Sequence, residues 1–293
     1  MYCDRLDHFV RINPNGTLSR CGHMVNPAQF ATIEQMNQSD WLQQVKEKFL
    51  NDVWPTECQR CQHTEQENNT SIRLNANQLF IGATDDSLQV GGVLDNVCNA
   101  ACLTCNSNHS TRIGSLTSKI FPIVNNSEIF WTLPQDKILH LDINGGEPSY
   151  SKNYKRLIQN LPPNLKTLRL NTNCATVLEE LVDIVDRGVE VTVTVSFDGV
   201  GAIHDLVRWP IPWDTFFQNL MTYKSMPVKL NLWTTVNILN VDDLPNIIAF
   251  AKQQNIDHSY AYLEYPAELS VDNTSHNQAQ QYIKQQKDIR GIK

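Results

Sequence analysis

Positive charge is scarce in this chain: 24 Lys and Arg stand against 31 Asp and Glu, a formal net charge of -7. A protein that tracks a nucleic-acid backbone needs a basic surface, so no nucleic-acid partner is expected. Long apolar runs are missing too. None approaches the roughly 20 residues that cross a bilayer, and no membrane association is expected. The opening Met1-Tyr2-Cys3-Asp4-Arg5 lacks the basic-then-apolar pattern of a secretion signal. The expectation is a cytoplasmic protein whose eight cysteines serve as metal ligands or free thiols sooner than disulfides. Internal repeats, low-complexity blocks, and P-loop, Ser-His-Asp and His-Glu-x-x-His signatures are absent as well. At 293 residues and 41% hydrophobic content, one large α/β domain with a small appendage fits.

What is present is cysteine in two groups. Cys98, Cys102 and Cys105 form C-x3-C-x2-C after the apolar run Val90-Gly91-Gly92-Val93-Leu94. Thiolates are soft ligands that select zinc, copper(I) or iron–sulfur clusters. Three ligands from one loop leave a coordination position open, whereas structural zinc closes with four. Cys3, Cys21, Cys58 and Cys61 make a complete tetrahedral set able to hold zinc or an iron–sulfur cluster, with the spacing alone slightly favouring zinc. Around them, Phe9–Ile12 alternates like a strand, Asn13-Pro14-Asn15-Gly16 is a turn and Leu18–Cys21 returns as a hairpin. Trp41–Phe49 has helical spacing. The polar run His63–Thr70, with Glu65, Ser71 and Arg73 about it, reads as a solvated surface segment sooner than a gate. Thr84-Asp85-Asp86-Ser87 reads as a loop between modules 1–86 and 87–293.

From Gln89 the chain alternates strand-like and helix-like stretches, the signature of βα units on a parallel sheet. Strands are predicted at 89–94, 138–143, 165–170, 189–195, 228–236 and 259–263. Helices are predicted at 108–123, 151–161, 177–187, 213–224, 244–254 and 277–287, the polar tail beyond Tyr282 reading as helix and then a frayed end. In such sheets ligands sit at the carboxyl ends of the strands. The polar motifs fall there: Asn144-Gly145-Gly146-Glu147-Pro148, Asn171-Thr172-Asn173-Cys174, Ser196-Phe197-Asp198-Gly199 with Arg208 following, and Asn237.

These motifs together resemble the radical S-adenosylmethionine (radical SAM) superfamily. The resemblance implies a partial (β/α)6 TIM-like barrel in which Cys98, Cys102 and Cys105 hold a [4Fe–4S] cluster whose fourth iron binds SAM. Thr104 stands where the family usually carries an aromatic residue, and Cys174 where it often has glycine. Gly145, Gly146 and Glu147 match the Gly-Gly-Glu motif, implying contact with the amino group of SAM. Asn173 and Asn237 are implied to reach SAM or substrate. Ser196 and Arg208 match S-x-D-G-x8-R of SPASM-type maturases and are implied to contact the ribose and carboxylate, with Asp198 capping a turn or orienting Arg208. Cys174 is a candidate catalytic thiol, able to donate a hydrogen atom, with a buried, inert cysteine as the commoner outcome. His204 reads as structural, and Tyr262, Glu264 and Tyr265 as substrate contacts or rim.

Cys3, Gly16 and Cys21, as C-x12-G-x4-C, resemble the opening of SPASM and twitch auxiliary-cluster modules. Those modules usually follow the barrel, whereas these cysteines precede it. The resemblance implies an N-terminal auxiliary module with a second [4Fe–4S] cluster on Cys3, Cys21, Cys58 and Cys61, zinc being the alternative. The activity implied is reductive cleavage of SAM and hydrogen abstraction, with a peptide or protein as substrate and an electron donor such as flavodoxin or ferredoxin. Two other readings stand beside it. One is a radical SAM enzyme on a small molecule or nucleotide with structural N-terminal zinc. The other is a zinc-binding interaction protein without activity.

Overall fold

A computed structural model describes residues 1–81, 84, 86–117 and 120–292. Asp85 of the expected inter-module loop, and residues 118 and 119 of the expected helix 108–123, lie outside them. The chain divides into two compact units. One comprises Met1–Leu94, Asn125–Asn144 and Leu161–Lys166; the other comprises Asp95–Val124, Gly145–Asn160 and Thr167–Lys293. Each builds four strands of an α/β fold whose pairing is mostly parallel.

In the first unit the strands are β1 (Phe9–Ile12), β2 (Leu18–Ser19), β3 (Leu88–Val93) and β4 (Ile138–Asn144). β1 and β2 form the expected antiparallel hairpin, and Gly16 supplies the positive φ (+82°) at its turn. β1 then pairs parallel with β3, and β3 with β4. The hairpin is therefore an added edge of the β3–β4 sheet. Gly92 allows that approach, since a Cβ there would lie 2.1 Å from the Ile12 carbonyl oxygen. Helix Asp40–Leu50 is capped by the Ser39 hydroxyl, which accepts from Leu42 N–H. It buries Leu42, Val45 and Phe49 against Leu6, Cys21, Met24 and Cys58.

In the second unit β5 (Thr167–Thr172), β6 (Glu190–Ser196), β7 (Lys229–Val236) and β8 (Asp257–Tyr262) pair in parallel and in sequence order. β6 shows why: Val191, Val193 and Val195 are buried and alternate with polar residues, the period-2 pattern of β-branched side chains on a pleat. Four of the predicted helices are close to expectation: Lys152–Gln159, Trp213–Ser225, Leu244–Gln254 and His276–Arg290. The helix predicted at 177–187 is shorter, Leu181–Asp186. β5 starts two residues later than predicted, because Leu165 N–H is drawn into a turn with the Pro162 carbonyl.

Two expectations are corrected. The polar run His63–Thr70 is largely helical, within Gln59–Asn68, and Glu65, Ser71 and Arg73 do not form a solvated segment. Arg73 and Ser71 are buried, and both donate to the Glu65 carboxylate. Beyond Tyr282 the expected helix forms, but it runs past 287 to Arg290, where a frayed end was expected. Arg290 is only 3% exposed. Among the described residues no helix is long and apolar enough to cross a membrane.

Candidate functional site

The second unit gathers the motifs around the Cys98–Cys105 loop. Small apolar residues between the cysteines let this loop bury itself: Ala100, Ala101 and Leu103 are at most 1% exposed. Buried backbone needs partners, and they are supplied. Ala101 N–H donates to the Trp209 carbonyl (2.8 Å) and Leu103 N–H to that of Val207 (2.9 Å). The Ser110 hydroxyl donates to Ala100 O at 2.7 Å. The three thiols are thus presented from a fixed backbone, Cys102 buried and Cys98 and Cys105 partly so.

Burial, and then the charge of neighbouring thiols, push Cys98 and Cys105 up to about 12; burial raises Cys102 as well. A metal centre relieves both effects, because it binds the thiolate and displaces the proton. Arg208 supplies the opposing charge, its guanidinium lying within electrostatic reach of all three thiols. Its Nη1 pairs with Asp198 Oδ2 at 3.2 Å, while its buried Nε has no partner. An unpartnered buried guanidinium N–H is a donor suited to an anion such as a carboxylate. The donor set, the fixed loop and this donor fit a cluster with a carboxylate-bearing ligand. Among the described residues no group of three or more His, Cys, Asp or Glu side chains is placed to hold a metal ion.

The glycine pair serves close approach and not left-handed φ, since neither residue has a positive φ. A Cβ on Gly145 would lie 2.5 Å from Asp95 O, and one on Gly146 2.0 Å from Val97 O. Gly146 N–H donates to Asp95 O and Glu147 N–H to Val97 O (2.9 and 2.7 Å), clamping the backbone just ahead of Cys98. Glu147 is buried, and its Oε1 accepts from Ser149 N–H, the Ser149 hydroxyl and the Thr172 hydroxyl. Oε2 accepts from Asn173 N–H at 2.7 Å. Burial raises this carboxyl and the hydrogen bonds oppose the rise. One carboxylate therefore ties the Gly-Gly-Glu turn to the end of β5, with Oε2 retaining spare acceptor capacity.

The other predicted residues divide. Asn173 Nδ2 donates to Asn99 Oδ1 at 2.8 Å and reaches Cys98 Sγ at 3.9 Å, which puts Asn173 at the loop. Asp198 does not cap a turn: Oδ1 accepts from Thr235 N–H at 2.8 Å while Oδ2 holds Arg208, so it orients Arg208. Ser196 ends β6, in register with Trp233. Asn237 is turned into its own loop. Its Nδ2 donates to Thr235 O and its Oδ1 accepts from Leu239 N–H. Cys174 is fully buried at φ +62°, where glycine is the easy occupant. Its thiol faces the Phe216 carbonyl at 3.8 Å, and burial raises it. His204 is buried between Trp213 and Phe216 (ring centroids 5.6 and 4.3 Å). Tyr262, Glu264 and Tyr265 are exposed. Sequence reasoning missed Asn99, which carries no motif of its own, and Arg290, which lies 185 residues beyond Cys105.

The first unit assembles the second cysteine group. Cys3, Cys21, Cys58 and Cys61 line one small cavity with Arg5, His23 and Arg73. Burial first, and neighbouring thiols second, raise Cys3 to about 12 and also raise Cys58. His23 N–H donates to Cys21 Sγ at 3.4 Å. Arg5 keeps a buried Nε without a partner, and Arg73 is held by Glu65 and the Tyr2 carbonyl. Four thiols flanked by buried guanidinium groups fit an anionic thiolate-bound centre.

No protein-family model and no curated protein matches the chain. The 33 matching chains of solved structure include Streptococcus suis SuiB in two bound forms. One is bound to S-adenosylmethionine (14% identity over 96% of this chain, TM-score 0.49) and the other to precursor peptide SuiA (13% over 99%, 0.48). A third is native anSMEcpe with bound AdoMet, 14% identical over 60% of this chain with TM-score 0.44. This chain spans 68% and 70% of the two SuiB chains and 52% of the anSMEcpe chain. At these values the functional reading rests on the geometry of the site itself.

Proposed function

We propose that this chain is a radical SAM enzyme. The observation that carries the reading is convergence in one compact unit: a three-cysteine loop clamped by a Gly-Gly-Glu turn, with Asn173 at Cys98 and the Asp198–Arg208 pair beside the thiols. In this reading residues 87–293 act as a partial (β/α)6 TIM-like barrel, with 1–86 as a twitch-like auxiliary module.

Cys98, Cys102 and Cys105 would hold a [4Fe–4S] cluster, and SAM would complete it. When bound, the cluster supplies the electron that cleaves SAM reductively, giving a deoxyadenosyl radical that abstracts hydrogen from substrate. The work of this chain is placement. Arg208, held by Asp198, offers its unpartnered Nε to the SAM carboxylate. The spare lone pair of Glu147 Oε2 offers an acceptor for the amino group, and Ser196 a hydroxyl for the ribose. The closely packed loop, with Ala100, Ala101, Cys102 and Leu103 buried, limits the access of water to the cysteines. Asn237, closed on its own turn, contributes through backbone geometry. Cys174 would act as a buried small side chain.

The N-terminal cysteines would hold a second [4Fe–4S] cluster, supported by the arginines that flank them; zinc is the competing occupant. The likeness of S-x-D-G-x8-R to maturases makes a peptide or protein the proposed substrate, with flavodoxin or ferredoxin as the class of electron donor.

The test is anaerobic purification and reconstitution, counting iron, sulfide and zinc in wild type and in Cys98→Ala/Cys102→Ala/Cys105→Ala. About eight irons falling to about four supports two clusters, and SAM with a reductant should yield 5′-deoxyadenosine from wild type alone. Four irons with one zinc keeps the enzyme and makes the N-terminal centre structural. Zinc alone with no deoxyadenosine refutes the proposal.

A further inference from the structure

We infer that Arg290 is a positioning residue for the three-cysteine loop, fixing its carbonyl side and placing a buried positive charge behind Cys102; the inference rests on the cluster reading only for its redox half. Arg290 is the last residue of helix His276–Arg290, which ends at Gly291 in a left-handed cap (φ +68°). That ending turns the side chain inward at 3% exposure. Nε donates to Ala101 O at 2.6 Å and Nη2 to Cys102 O at 3.0 Å. Nη1 is held by the carbonyl and side chain of Gln286 one turn earlier.

The loop is then accounted for on both sides. Its N–H groups at Ala101 and Leu103 donate to the Trp209 and Val207 carbonyls, which bracket Arg208. Its carbonyls at Ala101 and Cys102 both accept from a single guanidinium, the second also from Cys105 N–H at 3.1 Å. The two contacts use adjacent N–H groups of one rigid fork, a geometry that an ammonium cannot reproduce. Remove the fork and two buried carbonyls lose their charged donor, an unfavourable state inside a protein. The charge matters separately. Arg290 lies within electrostatic reach of Cys102 and Cys105. A fixed cation beside an anionic centre favours the more reduced, more negative state of that centre, so it raises the reduction potential. Arg290 adds no contact to substrate; it acts through the loop.

The test uses the full chain with Arg290→Lys, which keeps the charge and loses the fork, and Arg290→Gln, which loses both. Circular dichroism of each establishes that the chain is folded. In metal-free protein, amide hydrogen exchange over 98–105 should quicken about tenfold in both variants, the order expected when a buried acceptor is left unpaired. In reconstituted protein, chelator-driven iron loss from the Cys98 loop should quicken in both. The midpoint potential of that cluster, read by potentiometric electron paramagnetic resonance, should shift negative in Arg290→Gln and stay near wild type in Arg290→Lys. Unchanged exchange over 98–105 in folded Arg290→Gln overturns the positioning role. An unchanged potential in Arg290→Gln overturns the electrostatic one. A wild-type chain that takes up no iron while its loop protection still depends on Arg290 supports the positioning and refutes the radical SAM reading instead.

Discussion

Gly146→Ala isolates what the Gly-Gly-Glu turn does for the cysteine loop. The added Cβ would sit 2.0 Å from Val97 O, 2.4 Å from Val97 C and 2.7 Å from Asn96 C. All three are backbone atoms, so no flexible side chain can yield. Ordinary contact begins at 3.4 Å, and the 96–97 backbone would have to retreat by about 1.4 Å, carrying Cys98 with it. Overpacking of this kind costs about 1–3 kcal/mol. The retreat also disrupts the bonds from Gly146 N–H to Asp95 O and from Glu147 N–H to Val97 O, each worth about 1 kcal/mol. The expected loss is about 3–5 kcal/mol on adding these terms. Gly188→Ala is the control: its φ is +85° and nothing lies within 4 Å of the added carbon, so it incurs only the left-handed penalty of about 1–2 kcal/mol. Urea unfolding of the metal-free protein measures both, and iron bound per chain after reconstitution reads the displacement of Cys98. If Gly146→Ala is no less stable than Gly188→Ala and binds as much iron, the clamp does not exist.

Three further outcomes follow from the same geometry. Asp198→Asn removes the charge that orients Arg208 and should weaken SAM binding about tenfold, on the scale of a charge-assisted hydrogen bond; unchanged affinity by titration calorimetry would exclude that role. Burial, with Arg208 second, lowers His204 to about 3. Since its folded value lies below the unfolded one near 6.5, the unfolded chain binds more protons between them. Its stabilising contribution is present above about pH 6.5 and is lost as pH falls toward 3. His204→Phe keeps ring packing against Trp213 and Phe216 and should flatten the fall in urea midpoint over that window; an unaltered slope assigns it to other groups. Cys174→Gly relieves a left-handed residue by about 1 kcal/mol and loses a buried thiol of similar worth. Its urea midpoint should therefore stay near wild type, while Cys174→Val, β-branched at φ +62°, should fall well below it. Equal midpoints for the two would show that the strain is absent.

Local chemistry was legible in the residues alone. Spacing put Cys98, Cys102 and Cys105 on one loop and Cys58 beside Cys61, because residues close in sequence need no tertiary information to be grouped, whereas Cys3 and Cys21 reach the same cavity only through the fold. The alternation of valines in β6 and the turn Asn13–Gly16 were equally plain, since period and φ preference are local properties. What the tertiary structure decided is where side chains spend their hydrogen bonds. Glu147 could not be seen to bind four donors, two of them at the end of β5, nor Asn237 to close on its own loop, because sequence gives residue type and not the direction of an amide or carboxylate. Polarity misled at both ends of the chain. The run around Glu65 read as solvated and the end around Arg290 as frayed because charged residues are usually exposed, yet each carries an arginine with partners far away in sequence: Tyr2 for Arg73, and Ala101 and Cys102 for Arg290. A buried guanidinium is stable only where the fold brings carbonyls and carboxylates to meet it. That meeting is a property of the assembled chain and not of any stretch within it.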